Sequence, residues 1–254
     1  MPTQLSSLWD GLNEHLIASF YVVEKTDDYE WSRSLADETV VRAPLMDVNL
    51  EIDLNWQSPF EQAGPESAAP SLMAMLQSGQ LQPVVDSVTG SKGDLSQASK
   101  DYLNQYEGRT GITKLNSTQI FNGMQPARIN ATVVFRAWKD ALTEVEEPFD
   151  QLMQWALPQE LSRDGSIIAR LANSARSVDT DHVGMIMPSL SPVKIGMTYK
   201  GRSFLPLVIE SISQPLSSPI NADGNFIELR SQLTLCTLTA IDKNDWRSMK
   251  TLII

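Results

Sequence analysis

One cysteine, Cys236, and two histidines, His15 and His182, are all that 254 residues offer of the commonest metal-binding and nucleophilic side chains. A single thiol excludes an internal disulfide and a cysteine-based zinc site, so stability must come from packing or assembly. Cations are also scarce: 20 Lys and Arg stand against 31 Asp and Glu, a formal charge of −11. A nucleic-acid reader needs Lys and Arg to displace counterions, so sequence-specific DNA binding is disfavoured. No apolar run approaches the roughly 18–20 residues of a membrane helix, and no basic residue precedes the first apolar stretch. The expectation is a protein made inside the cell without a signal peptide and with no membrane partner. Motifs for covalent catalysis are missing as well. There is no G-x-S-x-G, and GSKGDLS at 90–96 has neither the spacing nor the flanking elements of a P-loop. No fixed-period repeat is visible.

What the chain does contain is patterned apolar residue. With 42% hydrophobic residues, it can bury a core in one or two domains. Leu5, Leu8, Trp9, Leu12, Leu16 and Ile17 recur at three- and four-residue spacing, which predicts an N-terminal helix of about four turns with one apolar stripe. Residues 24–44 are polar and read as a connecting arm. In MDVNLEIDLNW, residues 46–56, apolar and polar side chains alternate, the period of a half-buried strand. Its polar face carries Asp47, Glu51 and Asp53. Residues 59–70 contain three prolines and predict an extended loop, followed by a short helix at 71–79 and, after Gly90, loops with a short helix at 95–106.

The second half is denser in signals. INATVVF predicts a strand with Ile129, Ala131, Val133 and Phe135 on one face. Ala141, Leu142, Val145, Phe149, Leu152, Met153 and Ala156 fall at helical spacing, and Pro148 within this pattern predicts either a break near Glu147 with a fresh helix starting there or a kink. A connector at 159–190, with a small helix at 167–175, leads to three strands in VKIGMTY, FLPLVIESIS and FIELRSQLTLCTLTAI, the last two joined by a turn at Asn221, Asp223 and Gly224. Cys236 is expected to be a small buried residue of the last strand. The fold class is α+β: an antiparallel β-barrel or sandwich with a flanking helix, an N-terminal helix and extended loops. Residues 1–45 are expected to form the N-terminal helix and arm, and 46–254 a β domain with a loop-rich insertion at about 59–127.

Candidate chemistry is thin. His15 reads as a packed or solvent-edge residue. Asp179, Asp181 and His182 in DTDHVG could crowd a cation, but the stretch lacks the terminal acid of a calcium loop, and a polar loop is its ordinary reading. A metal-dependent hydrolase built on these three residues is the alternative from a different class. Glu144, Glu146 and Glu147 could pair as in glycoside hydrolysis, but an exposed charged helix face is expected. Asn116 and Asn130 match the glycosylation pattern, which without a secretory route carries no meaning. No catalytic residue, metal or cofactor is expected.

Two stretches carry a resemblance. NWQSPFEQAGPESAAPSLMAMLQSG at 55–79, together with INATVVFRAWKDALTEVEEPFDQLMQWALP and SPVKIGMTYKGRSFLPLVIESISQPLSSPINADGNFIELRSQLTL, resembles the baseplate tail-tube initiator proteins of contractile-tailed bacteriophages. The resemblance implies a tail-tube-type fold, a structural virion protein and a hexameric ring. That ring would connect the central hub to the tail tube and template tube polymerisation. It implies as partners the tail tube protein and the baseplate hub proteins, with tape-measure and wedge proteins as further neighbours, assembly in the host cytoplasm and residence in the virion tail. A wedge or terminator component is the alternative within the same particle. Family members commonly stand beside a peptidoglycan-binding-type module, and none is recognisable here. DNA would pass through the channel without specific binding, so Asp47, Glu51 and Asp53 become candidate channel-facing residues that repel phosphate. Leu5, Leu8, Trp9, Leu12 and Leu16 become candidate subunit contacts.

Overall fold

The computed structural model describes residues 3–57, 118–162 and 189–250. The expected helices at 71–79, 95–106 and 167–175 lie outside the described residues, as does the loop of Asp179, Asp181 and His182. Ten strands are described: β1 (Gln4–Ser6), β2 (Ile17–Lys25), β3 (Trp31–Arg33), β4 (Val40–Glu51), β5 (Leu54–Gln57), β6 (Ile120–Met124), β7 (Arg128–Arg136), β8 (Lys194–Tyr199), β9 (Arg202–Ile212) and β10 (Glu228–Thr237). A π turn (Leu142–Glu146) runs into helix α1 (Glu147–Ala156), and a short helix α2 (Lys243–Ser248) follows β10. Mostly strand with few helices, this is an α+β chain built on one large mixed sheet.

Contacts divide the chain into two units, Met1–Asp53 with Gln125–Ile254, and Leu54–Met124. In the first, the eight-stranded sheet has the order β1-β4-β7-β10-β9-β8-β2-β3, and β2 pairs also with β4. That extra pairing, from Ile17 opposite Pro44 to Tyr21 opposite Val40, closes a circuit of β4, β7, β10, β9, β8 and β2 whose pairings are all antiparallel. Among the described strands only β1 runs parallel to its neighbour. Among the described strands, closure leaves the short strands β1 and β3 at the margins of the sheet, and short edge strands limit unwanted pairing.

Alternating apolar positions point into this circuit. Phe20 of β2, Val41 of β4, Val133 and Phe135 of β7, Met197 of β8, Leu207 of β9 and Leu233 of β10 are all buried in one cluster. Helix α1 joins it with Phe149, Leu152 and Trp155, and Phe149 meets Phe135 edge-on at 6.4 Å. Pro148 sits in the first turn of α1 directly after the π turn, and the Glu144 carbonyl that its missing N–H leaves open accepts the Ser7 hydroxyl instead. The expected break near Glu147 does not occur: Ala141, Glu146 and Glu147 are all helical and the Glu147 N–H reaches the Leu142 carbonyl, so a π turn carries the chain past the proline without a stop. The π turn before it lengthens the path by one residue per turn, which moves Leu142 outward and brings Glu144 inward. The strands at 129–135, 194–199, 202–212 and 228–237 fall where their patterns place them. The Asn221 side chain accepts from the N–H groups of Asp223 and Asn225, while Gly224 takes φ 92°, closing the expected turn.

Three expectations are corrected. The N-terminal helix does not form. Gln4–Ser6 pairs instead with Val40–Arg42, Gly11 adopts φ 85°, and only a 3-10 turn at Glu14–Leu16 is helical. The spacing of Leu5, Leu8, Trp9, Leu12 and Leu16 fits a helix, but the exposed edge of β4 supplies hydrogen bonds that an isolated short helix cannot match. The arm at 24–44 is likewise part of the sheet, as the end of β2, all of β3 and the start of β4. Cys236 lies on the opposite face of β10 from the core residues Leu229, Leu233 and Leu235, and is half-buried.

The second unit contributes a two-stranded ribbon, β5 with β6. Trp56 lies opposite Phe121 there, with ring centroids 5.4 Å apart.

Candidate functional site

The strand read from 46–56 is two strands, and a bulge sets its faces. Met46 pairs with Thr132 but Asn49 pairs with Asn130, so Asp47 and Val48 share the space opposite Ala131. Asp47 takes φ 51°, the left-handed conformation that lets one strand hold an extra residue. Before the bulge Val41, Ala43 and Leu45 face the core; after it Val48 and Leu50 do. Met46, read from the alternation as inward, therefore lies on the outer face and is 46% exposed.

This decides where the three candidate channel-facing carboxylates lie. Asp47 projects from the bulge, Glu51 ends β4 on the outer face, and Asp53 follows it in the link to β5; all three are exposed. The Asn49 amide donates to Glu51 at 2.8 Å. Arg128 lies directly opposite Glu51 in the ladder and pairs with Glu210 at 3.2 Å. The acidic face is thus not free of cations, because a neighbouring strand supplies one. Further along the same face Glu228 accepts from Arg230 at 2.7 Å and stands 3.8 Å from Arg136, whose guanidinium covers the Trp138 ring at 4.9 Å. These exposed pairs set local order more than stability.

The candidate subunit-contact residues separate into two groups. Leu5 packs on the core from β1. Leu8, Leu12 and Leu16 remain 39%, 38% and 41% exposed. Trp9 is half-buried and meets Trp138 edge-on at 6.5 Å. Leu8, Trp9 and Leu12 line an open groove of about 400 Å³ with Asp10, Glu14, Ile17 and Arg42.

Glu144 departs most from its sequence reading. Expected on an exposed face, it is only 6% accessible. Its carboxylate accepts the backbone N–H groups of Trp138 at 2.8 Å, Lys139 at 3.0 Å and Asp140 at 3.1 Å. Burial pushes the carboxyl up, but hydrogen bonds from the N–H groups of Trp138, Asp140, Lys139 and Leu8 outweigh it and hold the group below its ordinary 4.5. The Ser7 hydroxyl donates to the Glu144 carbonyl at 2.7 Å and accepts from the Arg136 N–H at 3.2 Å. Glu144 thereby fastens both the 138–140 turn and the N-terminal segment to the body. Asp140, at the same turn, is held low by the Thr143 hydroxyl and N–H. Glu146 accepts from the Phe226 N–H at 2.8 Å, and Glu147 is exposed. The three glutamates do not converge on one point, so the glycosidase-like pair is not assembled. Nothing in the local residue pattern sets Glu144 apart from Glu146 and Glu147.

Among the described residues no group of three or more His, Cys, Asp or Glu is placed to hold a metal ion. His15 is exposed in the 3-10 turn, not on a helix stripe. A second open groove, of about 540 Å³, lies along Trp31, Pro206, Ile241 and Met249; of its acids, Asp245 is engaged in the cap of α2 with Asp242. Among the described residues no helix is long and apolar enough to cross a membrane. No protein-family model matches the chain, and no curated protein sequence matches it.

Proposed function

We propose that this chain is a non-catalytic structural protein of a contractile phage baseplate, with a tail-tube-type fold, that forms a hexameric ring between the hub and the tail tube. The observation that carries the reading is the closed antiparallel circuit with α1 packed into its core, the kind of architecture that the sequence resemblance implies. Packing adds a constraint. The interior of the circuit is filled by Phe20, Phe135, Phe149 and Met197, and a barrel of so few strands has room for side chains only. A passage for DNA therefore requires several copies around an axis, not a pore through one subunit. The charge of −11 per chain suits such a passage, since carboxylates repel phosphate.

The test is the mass of the purified chain by light scattering, alone and mixed with its tube and hub neighbours, with negative-stain imaging of the products. A six-fold ring is expected; a chain that stays monomeric with every neighbour present would overturn the reading. Replacing Asp47, Glu51 and Asp53 together by Lys is expected to leave the ring intact. The variant ring should retain nuclease-protected DNA, with the logarithm of affinity falling by about 0.9 per contacted phosphate for each tenfold rise in salt. Rings that hold no more DNA than the unmodified protein would place these residues away from the channel.

A further inference from the structure

Residues 3–8 form an arm whose partners all lie in the body of the subunit. β1 pairs with Val40–Arg42 of β4, and Leu5 packs on the core. The Ser7 hydroxyl donates to the Glu144 carbonyl and accepts from the Arg136 N–H, and the Leu8 N–H reaches the Glu144 carboxylate. None of these contacts involves residues 9–16.

The link from this arm to β2 is longer than the step it makes. β1 ends with Ser6 beside Arg42, and β2 begins with Ile17 beside Pro44 on the opposite flank of β4. Two strand spacings separate the flanks, about 10 Å. The intervening residues 7–16 could extend to roughly 33 Å. Their surplus length is taken up in local turns, from the Leu12 N–H to the Trp9 carbonyl and from the Leu16 N–H to the Asn13 carbonyl, with Gly11 at φ 85°. Folded back in this way the link leaves polar groups unmet. The Trp9 Nε1 and the Arg42 Nε are closed off from solvent and lack a hydrogen-bond partner among the described residues, an arrangement that is unfavourable and rare in folded proteins. Leu8, Leu12 and Leu16 meanwhile stay more than a third exposed.

We propose that the arm is exchanged between copies: residues 3–8 of one subunit dock on β4 of the next, with the link at 9–16 drawn out between them. The occupant is the arm itself because the flank of β4, Glu144 and Arg136 already hold it within one molecule; exchange changes only which copy supplies it. Drawing out the link opens the Trp9 and Arg42 donors to water and lays Leu12 and Leu16 along the neighbour. A subunit that gives its arm to the next copy and takes one from the last makes a head-to-tail contact, the type from which cyclic rings are built. This rests on the ring reading above and names its contact.

The test uses the full-length chain carrying Cys236→Ser, Gln4→Cys and Val40→Cys. Positions 4 and 40 stand opposite each other in the ladder, within the separation that a disulfide spans. Far-ultraviolet circular dichroism and thermal melting establish that each variant folds. Oxidised at a concentration below assembly, the pair should close within one chain and pin the arm at home. The pinned chain is then expected to need at least tenfold higher concentration for half-assembly by light scattering, and reduction should restore it. Oxidised after assembly, the same variant should give covalent dimers through hexamers on a non-reducing denaturing gel. A chain lacking residues 1–8 gives a second readout without a disulfide. It can take an arm but has none to give, so it should bind full-length chains and stop their assemblies short.

Pinned and reduced chains that assemble alike, or rings that yield only monomers bridged within themselves, would overturn the exchange and leave the ring reading standing. A folded truncated chain that full-length chains ignore would do the same. Covalent dimers that never grow longer would overturn the head-to-tail order and the ring with it. A pair that forms no bond in either state would overturn the β1–β4 pairing on which the exchange depends. A wild-type chain that never assembles, alone or with its tube and hub neighbours, would overturn both readings together.

Discussion

Replacing Glu144 by alanine is expected to lower the unfolding free energy by about 3 kcal/mol, more than any other single carboxylate among the described residues. The carboxylate answers three backbone donors at 2.8–3.1 Å, and hydrogen bonds to a charged group contribute roughly 1.5–3 kcal/mol each, without adding in full because water reaches part of the turn. For a chain of this size that corresponds to a fall of about 6–12 °C in Tm. Glu144→Gln keeps the shape and one acceptor oxygen, so about half the loss is expected. Thermal melts of both variants at pH 7 check the values, and a change of less than about 1 °C in the alanine variant would show that the turn is held by other means.

The same carboxylate gives the protein a pH signature. Its folded-state value lies below the ordinary 4.5, so between the two values the unfolded chain binds more protons and stability rises with pH. The contribution is complete above the ordinary value and is lost as pH falls through the lowered one. Wild-type and Glu144→Gln melting temperatures should therefore differ most at neutral pH and converge as the solution is acidified below 4.5.

Deleting Asp47 is expected to be tolerated, while deleting its neighbour Val48 should unfold or severely weaken the protein. The ladder around the bulge explains the asymmetry. Without Asp47, Val48 falls opposite Ala131 and Asn49 and Leu50 keep their partners Asn130 and Ile129, so every inward side chain stays inward. The left-handed residue disappears as well, which offsets part of any change in strand curvature, and stability should stay within about 1 kcal/mol. Without Val48, Asp47 falls opposite Ala131 and points its carboxylate into the core, an uncompensated burial that, with the lost apolar contact, costs at least about 3–5 kcal/mol. Paired melts of the two deletions decide it. Equal losses would mean that the bulge position is not fixed by the core. Because the Asp47 deletion also withdraws one candidate channel-facing carboxylate without disturbing the fold, it separates the structural role of β4 from its electrostatic one.

Some of this was legible in residues alone. INATVVF had to be a strand because four apolar side chains two apart have no other way to share a face, and Ile129, Ala131, Val133 and Phe135 are all buried. Pro148 had to mark an irregular point of the helical stretch because a regular helix interior cannot accept it, and the irregularity is a π turn, not a break. Other local patterns were misleading for a definite reason. Leu5 to Leu16 have helical spacing, but Gly11 and the free edge of β4 favour a short strand, a loop and a single turn. Met46 to Trp56 alternate perfectly in sequence, yet one residue in a left-handed conformation changes which positions are inside, and periodicity carries no mark of it. Glu144 looked like its neighbours Glu146 and Glu147, and only the course of the backbone at 138–140 distinguishes them.

The sequence by itself determined the composition of the problem: an acidic chain with one thiol, enough apolar residues for a core, four well-patterned strands in the second half and a helical stretch made irregular at Pro148. Those properties depend on side-chain type and near-neighbour spacing, which act over a few residues. The tertiary structure alone decided that the sheet closes through β2 and β4, that Asp47 shifts the register, that Glu144 turns inward, and that Arg42 and Trp9 are left with donors unanswered. Each of these depends on which distant backbone lies alongside, and free energies of that kind exist only once the chain has folded.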